Sequence, residues 1–238
     1  MVLPFIQFAP RRAFAAARAL AADPDDLPQV FTLIESLSGT ALHRLHRRLV
    51  KSPAGARLLT ARPDIVDLLA DRSALARLPD GTLGRAYLDF VEREKISAEG
   101  IRAAEKDGMT RDAPPVPLDF INARLRDTHD LWHAAVGYQG DILGETALLA
   151  FTYAQTWTPA IGLMAGIGLA KLGSAQASRV VADGFRRGRR AAWLPEQDWE
   201  SLLPLPLAEV RDRLRLEAPP IYTPLRSAEL RAMGNIAA

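Results

Sequence analysis

Residues 129–145 read HDLWHAAVGYQGDILGE and contain two of the chain's four histidines, His129 and His133, together with Asp130 and Glu145. His129 and His133 stand four apart, so on an α-helix they project from one face one turn apart, a spacing that suits two imidazoles sharing one divalent cation. Asp130 falls about 100° round such a helix from His129 and about 60° from His133, so all three can flank one point. An uninterrupted helix would carry Glu145 roughly 18 Å beyond His133 along the axis. The chain must therefore turn if the four are to meet. Gly137 and Gly140 supply places where the backbone can leave helical dihedrals, and Asp141 is suited to cap a following helix. The stretch predicts an all-α, single-domain, multi-helix bundle with a metal site between two consecutive helices, the candidate ligands being His129, Asp130, His133 and Glu145.

Working outward, Ile121, Leu125, Trp132 and Val136 fall on one face of the first helix with His129 inside the same arc, which predicts burial. A carboxylate drawn into such surroundings without a cation would carry a large desolvation cost. With eleven residues between His133 and Glu145, the set resembles the zinc-ligand motif of the ubiquinone (coenzyme Q) biosynthesis family called Coq-four. The likeness extends from DPDDLPQVFTLIESLSG, through LPDGTLGRAYLDF, to GFRRGRRAAWLPEQDWESLLPLPLAEVRDRLRLEAPP, which covers nearly the whole chain.

This resemblance implies a divalent metal, zinc first, and a substrate of the 4-hydroxy-3-methoxy-5-polyprenylbenzoate type. The reaction it implies is removal of the ring carboxylate at C1 coupled to hydroxylation there, with Asp130 and Glu145 as catalytic residues. If Asp130 only orients a histidine, one coordination position stays open for chemistry. With four protein ligands the site is closed and structural. The second class of function is therefore a non-catalytic scaffold that binds prenyl lipid and organises other ubiquinone biosynthesis enzymes.

Composition narrows the chemistry. The chain of 238 residues has no cysteine, which excludes disulfides, thiolate zinc sites, iron–sulfur clusters and cysteine nucleophiles. A metal must use nitrogen and oxygen ligands. Thirty basic against 28 acidic side chains give a formal charge of +2, so bulk charge does not point to nucleic acid. No phosphate-binding glycine loop, dinucleotide fingerprint or nucleophile elbow is present. The longest apolar run, AIGLMAGIGLA over 160–170, is too short to span a bilayer. The alanine and arginine richness suggests a bacterial chain, cytoplasmic and peripheral to the inner face of the membrane. Expected partners are a polyprenylated aromatic or other prenyl lipid, other ubiquinone biosynthesis proteins, and a second copy in a homodimer.

Along the rest of the chain, residues 1–238 read as one domain of successive helices. The acid-free N-terminal stretch to Ala22 reads as the first helix. Val30, Leu33, Ile34 and Leu37 have amphipathic helical spacing, continued past Gly39 by Leu42, Leu45 and Leu49. Leu83, Tyr87 and Val91 mark another helix, with Thr82 or Asp80 as its cap. Pro114, Pro115 and Pro117 punctuate a loop over 111–116, and Pro117 suits a helix start.

Gly162, Gly166 and Gly168, interleaved with Ile161, Met164 and Ile167, predict either close helix packing or a smooth apolar groove. In the second case Gly162, Met164 and Gly166 are the lipid-binding residues. Arg179, Arg186 and Arg190 share a helix face, with Arg187 and Arg189 beside them, and predict a solvated face or an anionic contact. His43 and His46, set among arginines, read as surface histidines.

Overall fold

A computed structural model describes residues 8–23, 26–37, 40–108, 116–226 and 229. Fifteen α-helices and one 3-10 turn lie among the described residues, with no strand. The N-terminal half contains α1 (Pro10–Ala22), α2 (Leu27–Leu37), α3 (Ala41–Val50), α4 (Pro53–Ala61), α5 (Val66–Ala70), α6 (Arg72–Arg77), α7 (Leu83–Glu94) and α8 (Ala98–Gly108). The second half contains α9 (Leu118–Asp127), α10 (His129–Val136), α11 (Ile142–Thr156), α12 (Pro159–Leu172) and α13 (Ala175–Arg190). The 3-10 turn Leu194–Glu196 follows, then α14 (Trp199–Leu202) and α15 (Leu207–Leu214).

The breaks follow from local chemistry. Thr82 accepts from the Arg85 N–H and so starts α7, the better of the two caps expected there. Proline occupies the first turn of α1, α4 and α12, where its missing N–H leaves no helical bond unmade. Val116 apart, the loop expected over 111–116 lies outside the described residues, as do Pro114, Pro115 and Gly39. The single helix expected from Ile121 to Val136 is instead two, α9 and α10, divided at Thr128. There the backbone stands at φ −95°, ψ 0°, and the Thr128 hydroxyl donates to the Arg124 carbonyl at 2.8 Å. Such back-bonding by threonine bends helices.

The largest core gathers Leu83, Tyr87, Phe90 and Val91 of α7 with Leu131, Trp132, Ala135 and Val136 of α10, and Ala147, Leu148 and Phe151 of α11. Every residue of α10 except His129 is buried, as expected of a helix at the centre of a bundle. α11 packs on both α12 and α13, while α1 and α2 close over α12. The arginines of α13 divide in use. Arg187 is buried and donates to three backbone carbonyls, whereas Arg186 and Arg190 pair with Glu217. His43 and His46 are half-buried in α3.

Candidate metal centre

Two helix ends assemble the site. α10 provides His129 as its first residue and His133 one turn on. Gly137, at φ 93°, ends the helix in the left-handed region, and a Cβ there would stand 2.7 Å from Pro219 Cβ, so glycine is required twice over. The chain reverses over 138–141. Asp141 Oδ1 then accepts from the N–H groups of Leu143 and Gly144 at 3.1 and 3.2 Å, which caps α11 and sets Glu145 in its first turn.

Glu145 faces both histidines: Oε2 lies 3.4 Å from His129 Nε2, and Oε1 lies 3.1 Å from His133 Nε2. One ligand atom from each of the three residues falls within 4.8 Å of the others. Tetrahedral ligands about 2.1 Å from a zinc ion stand about 3.4 Å apart; each histidine already has one Glu145 oxygen near that separation, a different oxygen for each, and the widest pair would have to close by about 1.4 Å.

Ring orientation is a second test of fit. His133 Nδ1 lies 3.1 Å from the Tyr138 carbonyl oxygen. That oxygen can only accept, so Nδ1 carries a proton and Nε2 is the nitrogen turned to the site, free to bind a cation once it gives up any proton of its own. Nε2 is buried with no hydrogen-bond partner, although a carboxylate oxygen is 3.1 Å away. At that distance a positive charge belongs between the two atoms: a proton on Nε2 in the metal-free protein, or a cation that displaces it. Phe90 stacks on the His133 ring at 4.9 Å and 15°, which fixes its plane.

The electrostatics of the metal-free site favour an imidazolium–carboxylate pair, whose proton a divalent cation would replace. Burial disfavours a charged His133, but the Glu145 carboxylate, then Asp130 and the Tyr138 carbonyl, outweigh it and raise its pKa. Burial also opposes charge on Glu145, yet the His133 and His129 imidazoles hold its carboxyl far below the usual range. Asp130 moves the other way: burial raises its pKa against the pull of the same two histidines.

Of the four ligands expected, the structure brings three together. Asp130 stands beside them on the buried side of α10, outside the ligand group, with Oδ2 buried and unpartnered. Three protein ligands leave one position of a tetrahedral ion open.

Glu145 also lines a cavity of about 340 Å³. Val30, Leu149, Met164 and Ile167 form apolar wall, while Glu94, Lys171 and Arg226 bring charge to it. Met164 and Gly168 are in the lining; Gly162 and Gly166 are outside it. Gly162 abuts the Tyr153 ring, and a Cβ on Gly166 would meet nothing within 4 Å. Sequence reasoning missed Glu94, Arg226 and Phe90. Lys171, the only charged residue of the apolar α12, was a usable signal. The Glu94–Arg226 pair, at 2.7 Å across 132 residues of sequence, offered none.

The family described as coenzyme Q (ubiquinone) biosynthesis protein Coq4 matches residues 6–220. The mitochondrial ubiquinone biosynthesis protein COQ4 homolog of Danio rerio is 33% identical over 199 residues, spanning 81% of this chain and 70% of its own. The Homo sapiens homolog is 31% identical over 214 residues, spanning 88% and 78%. A crystal structure from Nostoc punctiforme PCC 73102, of a candidate ubiquinone biosynthesis protein, superposes with a TM-score of 0.65 at 23% identity. The match covers 89% of this chain and 100% of that one, and it supports the fold.

Proposed function

The chain belongs to the Coq4 family of coenzyme Q (ubiquinone) biosynthesis proteins, and from that premise we propose that it is a metal-dependent decarboxylase of a 4-hydroxy-3-methoxy-5-polyprenylbenzoate-type substrate. The observation that carries this reading is that Glu145 belongs both to the His129–His133–Glu145 group and to the cavity wall. His129, His133 and Glu145 would hold the ion, zinc first. When bound, a divalent cation supplies Lewis-acid charge to carboxylate or phenolate oxygens.

The chain's own groups do the rest. The Tyr138 carbonyl and Phe90 ring keep His133 Nε2 aimed at the site. Lys171 brings positive charge to the cavity, and the apolar wall excludes water and receives the first prenyl units. Asp130 Oδ2, buried and with its pKa raised, is suited to hold a proton close to both imidazoles. Replacing a ring carboxylate by hydroxyl releases carbon dioxide and admits one oxygen atom, a two-electron oxidation that needs an external oxidant such as molecular oxygen. A lipid substrate also places the protein at a membrane surface, and no helix among the described residues is long and apolar enough to cross one.

Metal-loaded protein incubated aerobically with the prenylated acid is expected to release the decarboxylated, hydroxylated product; the same incubation without oxidant is not. Asp130→Asn keeps the size of the side chain but removes its charge and its proton-holding oxygen. Once saturated with metal, this variant is expected to keep its helix content and to turn over at least about 10-fold more slowly. Full turnover by the loaded variant would favour a scaffold that merely holds prenyl lipid and organises partner enzymes.

The cavity makes a separate prediction. Gly166→Leu projects into open space and is expected to leave prenyl-ligand affinity unchanged. Gly168 closes on Thr146 of α11, where a Cβ would stand 2.5 Å from Thr146 Oγ1, so the cavity is better probed from Ile167 of its wall: Ile167→Trp narrows the lining and is expected to weaken long-chain ligands about 10-fold or more, while metal content persists. Equal affinities for the two variants in a calorimetric titration would remove the cavity as the lipid site.

A further inference from the structure

We infer that residues 217–226 are a strap that sets the geometry of the metal centre, with Tyr222 as its positioning residue; the inference deepens the metal reading above and rests on it. This segment has no helix, yet its hydrogen bonds converge on the turn between α10 and α11. Arg187 of α13 ties its start to the end of α10, donating to the carbonyls of Val136, Glu217 and Ala218 at 2.9, 3.0 and 3.1 Å. Pro219 then seats against Gly137. The Tyr222 hydroxyl accepts from the Gln139 N–H at 3.0 Å and donates to Asp141 Oδ2 at 2.9 Å. Leu225 completes the clamp: its N–H donates to Asp141 Oδ1 at 2.8 Å, and its carbonyl accepts from the Ile142 N–H at 2.9 Å.

The turn therefore lies between two fixed points of the site. On one side Tyr138 orients His133 through its carbonyl, and on the other Asp141 caps the helix whose first turn holds Glu145. Tyr222 bonds to residues 139 and 141 at once, so it fixes the His133–Glu145 separation without touching either. A Cβ on Gly144 would lie 2.5 Å from the Tyr222 oxygen, so α11 is shaped to receive that hydroxyl. A hydrogen-bonding shell that orients ligands is worth about 10–100-fold in metal affinity in known sites.

The test compares full-length Tyr222→Phe with the wild type and with Arg190→Ala, which loses a bond to Glu217 at the start of the strap but none to the turn. Co²⁺ titration followed by visible absorption reads the ligand geometry, and amide hydrogen exchange of the metal-free proteins reads the turn itself. For Tyr222→Phe we expect about 10–100-fold weaker Co²⁺ binding, a shifted absorption band, and faster exchange at Gln139, Leu143 and Gly144, with α7 unchanged. Arg190→Ala is expected to match the wild type in all three. Unaltered exchange and an unaltered Co²⁺ spectrum in Tyr222→Phe overturn the proposal even if the variant melts earlier, and so does an equal response from Arg190→Ala. If the wild type takes up no Co²⁺, the metal reading falls, and the exchange comparison still decides whether the strap holds the turn.

Discussion

Glu145→Gln is expected to weaken divalent-metal binding by at least about 100-fold and to reduce product formation to background, while the metal-free protein keeps its helix content. Changes to groups that only orient ligands already cost about 10–100-fold, and the carboxylate is the one anionic member of the three-residue group. Its loss leaves two imidazoles and a neutral amide, a group without negative charge to hold the cation. The fold has little at stake, because the Glu145 side chain is 42% exposed and an amide of equal size leaves no hole. Thermal melting separates the two effects. Metal at about 100 times its dissociation constant stabilises a protein by about 2.7 kcal/mol, which in a chain of this size raises the melting temperature by about 5–10 °C. The wild type should show that rise and Glu145→Gln should not. A variant that keeps the full metal-dependent rise would remove Glu145 from the ligand set.

How far the sequence revealed this site depended on the range of each interaction. The His129–His133 spacing, the break at Gly137 and the Asp141 cap are local rules, and the structure follows them closely. The helical period spoke equally plainly at Leu83, Tyr87 and Val91, all buried in α7. Asp130 shows where local rules stop. Helical geometry places it within reach of the histidines, but only the packing of α10 decides that it is buried beside the ligand group and not in it. The strap lay further out of reach, since Tyr222 and Asp141 are 81 residues apart and no periodicity links an irregular segment to a turn. The arginines of α13 divide in the same way: Arg179, Arg186 and Arg190 lie exposed as their shared face predicts, but no spacing shows that Arg187 is buried and donates to backbone carbonyls of Val136, Glu217 and Ala218.

The glycines carry the same lesson into energetics, and here the sign of a substitution can be forecast. The sequence drew attention to Gly162, Gly166 and Gly168, yet the glycines that bring a helix against the backbone of α11 are Gly184 and Gly188 of α13. A Cβ on Gly184 would stand 2.4 Å from the Ala147 carbonyl oxygen, and one on Gly188 would stand 2.5 Å from that of Phe151. In both cases the obstacle is backbone, which cannot swing aside as a side chain can.

Gly→Ala inside a helix normally gains about 1 kcal/mol. At Gly166, where a Cβ meets nothing within 4 Å, that gain should appear as a melting temperature higher by about 2–4 °C. At Gly184 overpacking of about 3 kcal/mol or more should exceed the propensity gain, so Gly184→Ala is expected to melt lower by about 4–8 °C. The cost should extend to function. Ala147 lies two residues beyond Glu145 on α11, so a helix pushed away from α13 carries the carboxylate with it, and metal affinity should fall together with stability. If Gly184→Ala melts at or above the wild type, the α11–α13 contact is looser than described, and α11 cannot be the rigid element that presents Glu145.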